Sequence, residues 1–222
     1  MGYGKANNQG FAIATGEYVL LLNSDALIKD VNFQTILSYM DTHPQVGVMT
    51  VKVLLPNGSI DPASHRGFPT IWRSFTYFSK LEQLFGRIPI VNSLVGGYHL
   101  TYLNLNTIHE IDSPAGAFYL TRRDILNKVK GFDTDFFMYG EDLDLSYRIK
   151  KLGYQILYYP KDYILHFKHT SGIKKNNKDI QVRTKRHFYE AMKIFYDKHY
   201  AALYPALVNR FIHSIIDLKA RS

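Results

Sequence analysis

The chain has 222 residues, 46% of them hydrophobic, enough to fill one large α/β core or one medium domain with an appendage. Zero cysteines exclude disulfides and cysteine-ligated metal sites, and no 20-residue uncharged apolar run reads as a membrane span. A formal charge of +8 allows nucleic acid, anionic lipid or a phosphorylated small molecule as partner and does not choose among them.

In chain order, Gly4 to Gly16 reads as a helix with Gly16 as its stop. Tyr18 to Leu22 is a short apolar run that suits a strand buried on both faces of a parallel sheet. It ends in Asn23-Ser24-Asp25, where ligands gather in open α/β sheets. Asp25 there fits a divalent cation on a diphosphate, or, with Asn23, a turn that caps a following helix. Asn32 to His43 is a helix closed by Pro44, Gln45 to Leu55 a β-branched strand, and Pro56 to Ser59 a tight turn. Asp61 to Tyr98 is irregular. Its His65, Arg66, Trp72, Arg73 and Arg87 read as a solvated rim or a cleft lining, and Trp72 to Phe85 as an amphipathic helix on the core or on a membrane.

Phe118 to Leu120 follows small residues, Ala115 to Ala117, and suits a strand close against another group. Thr121 with Asp124 predicts a capping-box start for a helix from Arg122 to Val129, stopped by Gly131. Glu141, Asp142 and Asp144 open a helix with Leu145, Ile149 and Leu152 on one face and Gly153 at its end. Carboxylates at that position are stabilised by the helix dipole, a structural reason that competes with a catalytic one. Tyr154 to Pro160 reads as a strand, followed by a segment carrying His166 and His169. From Ile173 the chain is basic, with a charged linker and two amphipathic helices, His187 to Tyr204 and Leu207 to Leu218, suited to packing on the domain, to a partner helix or to a lipid interface.

No P-loop, dinucleotide, serine-hydrolase or zinc motif occurs, and the basic charge follows no nucleic-acid pattern. What remains is Asp25, Asp142 and His166, each after a predicted element. If they converge, Asp25 and His166 can hold a metal while Asp142 takes a proton from an attacking hydroxyl.

The segments GYGKANNQGF, EYVLLLNSD, SPAGAFYLTRRD, KGFDTDFFMYGEDLDLSYRIKKLGY and His166-x4-Ser171 together resemble family 2 glycosyltransferases of the GT-A fold, in the rhamnosyltransferase-like and galactofuranosyltransferase-like branch. The order matches across residues 2 to 200, and Lys198-His199-Tyr200 is similar to that branch's ending. The resemblance implies a Rossmann-related, mostly parallel sheet flanked by helices over residues 1–172, with a basic helical tail over 173–222. It implies inverting transfer of a sugar from a nucleotide diphosphate sugar to a glycan or lipid-linked acceptor, with Mg2+ or Mn2+, in cell-surface polysaccharide synthesis. The location implied is cytoplasmic, peripheral at the inner membrane face through the C-terminal helices, with no nucleic acid involved. Asp142 matches the catalytic base, Asp25 and His166 the metal ligands, and Asn23, Gly116 and Glu141 line the donor or acceptor pocket. Asn23 replaces the first acid of the metal motif, leaving one fewer anionic ligand. The family's opening strand and base-reading loop have no counterpart before GYGKANNQG, which predicts weak donor binding by this chain alone. The alternative expectation is a non-catalytic remnant that binds a membrane or a partner.

Overall fold

The computed structural model describes residues 2–168 and 178–221. His169, Ser171 and most of the charged linker lie outside the described residues; the linker's last two residues, Lys178 and Asp179, open a long helix.

The central sheet contains β1 (Tyr18–Leu22), β2 (Ala26–Asp30), β3 (Val46–Leu54), β4 (His109–Glu110), β5 (Phe118–Arg122) and β6 (Gln155–His166). Its order is β1-β5-β3-β6-β2, with β4 also on β6. The α/β class and GT-A-like layering stand, but the mostly parallel pairing is corrected. Among the described residues only β3 and β6 run parallel; the other pairings are antiparallel. β3 and β6 are the central strands and β3 is buried on both faces, as a doubly covered strand requires. β1 instead ends the strand order against β5, with Leu22 exposed, so its apolar run does not mark a fully buried strand.

The residues after Asp25 form a strand, β2, rather than a helix. β6 does not stop at Pro160. The register slips between the Val51–Tyr159 and Lys52–Tyr163 pairs, and that bulge accommodates a residue with no N–H to donate.

Helices cover the sheet. α1 (Tyr3–Ile13), α6 (Arg123–Val129) and α7 (Glu141–Lys151) lie with the cluster of Val48, Tyr119, Leu145, Ile149 and Ile156. α2 (Phe33–Thr42), capped by Asn32, inserts Ile36 and Met40 among Met49, Val51, Phe118 and Leu120. Alternation along β5 divides Phe118 and Leu120 from Tyr119 between these clusters. Short helices α3 (Ile71–Phe78), α4 (Leu81–Phe85) and α5 (Val91–Val95) occupy the segment read as irregular, and the long amphipathic helix expected at Trp72 to Phe85 is broken at Lys80, whose φ is 63°. The capping box is also corrected. Thr121 is buried in β5 and donates to the Gly47 carbonyl at 2.9 Å, leaving α6 without a side-chain cap. Leu145 and Ile149 are buried as expected, whereas Leu152, at the C-cap of α7, is exposed.

The C-terminal helices are α8 (Lys178–His199) and α9 (Ala206–Arg221). Ala191, Phe195, Tyr196 and Tyr200 form a third cluster with Phe136 and Leu143, against the start of α7.

Candidate active site

The first residues of the chain set the loop that leads into α7. Asn8 donates to the Phe132 carbonyl and accepts from its amide, both at 2.8 Å, while Phe11 stacks on the Phe132 ring. A Cβ at Gly2 would lie 2.6 Å from the Phe137 carbonyl oxygen, so the small residue there lets α1 seat directly on this loop. The loop ends in two left-handed residues, Tyr139 (φ 69°) and Gly140 (φ 76°). Such a turn is costly for tyrosine and starts the helix abruptly, with Glu141 and Asp142 in its first turn.

Asp142 is held from two sides. Its Oδ2 accepts from the Arg66 guanidinium at 2.8 Å and its Oδ1 from the Leu143 amide at 2.8 Å. Arg66 also donates to the Pro114 carbonyl at 3.1 Å, and its Nε is buried without a partner. Burial opposes the Arg66 charge, yet Asp142 and Tyr98 beside it keep the guanidinium above its ordinary pKa. Arg66 is therefore not a residue of a solvated rim. Glu141, its neighbour, has a buried and unpartnered Oε2. Burial first, then the Asp142 charge, pushes its carboxyl up to about 7. Asp144 is spent on structure, between Arg148 at 2.7 Å and His199 at 2.8 Å.

A second cluster forms where β2 meets β6. Their register sets Ala26 opposite His166, which brings Asp25 to the histidine. His166 Nε2 lies 3.2 Å from Asp25 Oδ1, and its Nδ1 lies 2.9 Å from Asp61 Oδ2. Asp61, which the sequence did not single out, is fully buried, caps a 3-10 turn through the Ala63 amide and receives Lys168 at 2.6 Å. Burial raises its carboxyl, but the His166 and Lys168 hydrogen bonds outweigh it and bring the group to about 2. An ionised Asp61 fixes the proton on Nδ1 and turns the Nε2 lone pair toward Asp25. Asp25 Oδ1 and the Asn23 amide then lie beside that lone pair, at 3.2 and 3.4 Å. One carboxylate and one imidazole with an oriented second shell are donor types that would suit Mg2+ or Mn2+. Among the described residues no group of three or more acids and histidines forms a closed metal site.

Tyr3 connects the clusters. Its hydroxyl donates to Asn23 Oδ1 at 3.3 Å, and the Asn23 amide approaches His166 Nε2 at 3.4 Å. Burial and the charges of Asp142 and Glu141 hold the Tyr3 phenol well above its ordinary pKa, so it stays a neutral donor. A Cβ on Gly116 would sit 2.7 Å from the Tyr3 hydroxyl, which explains the small residue there. Asn23, Asp25, Gly116, Glu141, Asp142 and His166 all line one cleft of 1670 Å3. That exceeds the roughly 300–1,000 Å3 of a single small-ligand pocket and leaves room for two substrates. Asp61, Arg66 and Tyr3 also line it: of the two expectations for Arg66, rim or cleft lining, the second holds; Tyr3 falls in the GYGKANNQGF segment but was not singled out, and Asp61 carries no motif signal. His65 falls elsewhere, buried against His109 and Tyr158.

A mixed α/β sheet with carboxylates and a histidine gathered at strand and helix ends on a large cleft defines the protein class as a GT-A-like α/β fold. The chain belongs to the glycosyltransferase like family 2, which matches it over residues 1–190. It is 26% identical over 180 residues to rhamnosyltransferase WbbL of Escherichia coli (strain K12), covering 75% of this chain and 62% of that protein. It is also 26% identical over 184 residues to the N-acetylglucosaminyl-diphospho-decaprenol L-rhamnosyltransferase of Mycobacterium tuberculosis, covering 78% and 58%. The chain thus spans about six tenths of the length of these curated relatives. The crystal structure of GalNAc-T7 with UDP, GalNAc and Mn2+ shares its fold, with a TM-score of 0.55 at 10% identity over 87% of this chain and 34% of that one.

Proposed function

We propose that the protein transfers a sugar, with rhamnose the leading candidate, from a nucleotide diphosphate sugar to the hydroxyl of a glycan or lipid-linked acceptor, with inversion. The reading places it in cell-surface polysaccharide synthesis, at the cytoplasmic face of a membrane. The observation that carries it is the pairing of Asp142, oriented by buried Arg66, with the Asp25–His166–Asp61 cluster on the same cleft.

In this reading Asp142 takes the acceptor proton as the acceptor oxygen bonds to the anomeric carbon and the bond from that carbon to the diphosphate breaks. The pair of electrons leaves with the diphosphate, and the proton ends on Asp142. Arg66 aims the carboxylate through its 2.8 Å contact. Glu141, protonated at or below about pH 7, donates to a sugar or acceptor oxygen, and Tyr3 and Asn23 orient the donor. Asp25 and His166 would hold a divalent cation, which supplies positive charge beside the leaving diphosphate when bound. The domain division at residue 172 and a peripheral membrane contact belong to the same proposal; α9 exposes Leu207, Phe211 and Leu218 for such a contact.

The test is transfer from a panel of UDP- and dTDP-sugars with Mn2+ or Mg2+ to lipid-linked N-acetylglucosamine, together with calorimetry of donor binding. Asp142→Asn is expected to lower turnover by about 10²–10⁴-fold with donor affinity kept. Full activity in that variant would remove Asp142 as the base. Failure of every nucleotide sugar to bind would favour the non-catalytic reading.

A further inference from the structure

The cleft's mouth is bordered by apolar side chains that none of the described residues covers. α3, α4 and α5 form one unit, tied by the Trp72 indole donating to the Leu94 carbonyl at 2.8 Å. This unit exposes Trp72, Phe75, Leu84, Phe85, Ile88, Ile90 and Leu94. Ile90 is 84% exposed and sits at φ 72°, a backbone conformation costly for a β-branched residue, so neither burial nor local energetics favours its position. Exposed apolar side chains concentrated on one such unit mark an interaction site.

Charge decides the partner. Within residues 71–95 the basic side chains are Arg73, Lys80 and Arg87, and the acid is Glu82. Glu82 is buried on His99 at 2.9 Å, and Arg73 is occupied by Asp112 at 2.6 Å. Lys80 and Arg87 remain exposed among the apolar residues. A surface of aromatic and aliphatic side chains with interspersed cations and no exposed acid is complementary to an anionic bilayer interface. A second copy of the chain would bring the same cations against each other. Trp72, Phe75 and Tyr77 also line the cleft that contains Asp142, so the surface is continuous with the site.

We infer that residues 71–95 dock on an anionic lipid surface and set the mouth of the cleft against it. This rests on the membrane location proposed above and assigns the contact to a different element from the C-terminal helices; its test needs no turnover, so its failure is separable from failure of the transfer reading.

Trp72 is the protein's single tryptophan and reports on its own patch. Its emission and the sedimentation of the chain are measured with phosphatidylcholine vesicles, with and without phosphatidylglycerol. A blue shift and co-sedimentation that require phosphatidylglycerol and weaken with salt are expected. Leu84→Ser/Ile88→Ser/Ile90→Ser, at exposed positions, is expected to lower vesicle partitioning at least about tenfold. Leu207→Ser/Phe211→Ser/Leu218→Ser is expected to lower it less. Lys80→Glu/Arg87→Glu, which removes no apolar contact, is expected to abolish the phosphatidylglycerol dependence. The inference is overturned by absence of binding or by equal binding to neutral vesicles. It also fails if only the C-terminal variant loses binding, or if the Trp72 shift follows protein concentration without vesicles, the sign of a second copy.

Discussion

The two charged clusters of the cleft are built by opposite means. At the start of α7, Glu141 and Asp142 are sequence neighbours placed by a local turn, and the partner that controls Asp142, Arg66, arrives from 76 residues away. At the β2–β6 end, Asp25, Asp61 and His166 are all distant, and strand register alone brings two of them together. The first is a helix terminus refined by an ion pair; the second exists only because the sheet does. The first should therefore survive sheet perturbation and fail when its buried partner is removed. The second should lose ligand geometry when its orienting acid is changed.

The largest effect that separates them is on stability. Arg66→Met leaves Asp142 charged and unpaired beside a buried pocket, and a loss of about 3–5 kcal/mol in urea denaturation is expected. Adding Asp142→Leu should restore most of that loss without restoring transfer. No recovery in the double variant would mean that Arg66 acts mainly by packing. Asp61→Asn is next. It removes the charge that fixes the His166 tautomer, and Mn2+ affinity followed by electron paramagnetic resonance should fall about 10–100-fold. Unchanged Mn2+ binding would dissociate Asp61 from any metal role.

Gly116→Ala addresses the bridge between the clusters. Its Cβ presses on the Tyr3 hydroxyl, so a destabilisation of about 1–3 kcal/mol is expected, with partial recovery on adding Tyr3→Phe. A further effect is a slope with pH. The Glu141 carboxyl is raised from 4.5 to about 7 in the folded chain, so the folded state binds the proton more tightly. Its contribution to stability is full below pH 4.5 and is lost as pH rises toward 7. Glu141→Gln should thus stabilise the protein at pH 8 relative to its effect at pH 5, read as the midpoint of thermal unfolding at each pH. An unchanged difference between the two pH values would show that Glu141 titrates alike folded and unfolded.

Much of this was legible in the residues. Continuous or alternating apolar runs marked β1, β3 and β5, and the acids after Tyr139-Gly140 marked the start of α7. Errors fell where a local signal had two meanings. Thr121 and Asp124 have capping-box spacing, but the hydroxyl is claimed by the Gly47 carbonyl across the sheet. Pro160 reads as a strand end, yet a bulge carries the strand past it. A short apolar run such as Tyr18 to Leu22 fits a central or an edge strand equally well.

The sequence by itself determined β1, β3, β5 and the start of α7, the family resemblance and the identity of the acids, because periodicity, turn residues and helix-end charges act over a few residues. Only the tertiary structure decided which charges meet. Arg66 on Asp142, Asp61 on His166 and Tyr3 in the space left by Gly116 each join segments whose spacing encodes nothing about the other. The titration of Asp61, set by its His166 and Lys168 hydrogen bonds against burial, and of Glu141, raised by burial, is likewise a property of the packed chain, since a group's surroundings are set by every element that folds over it.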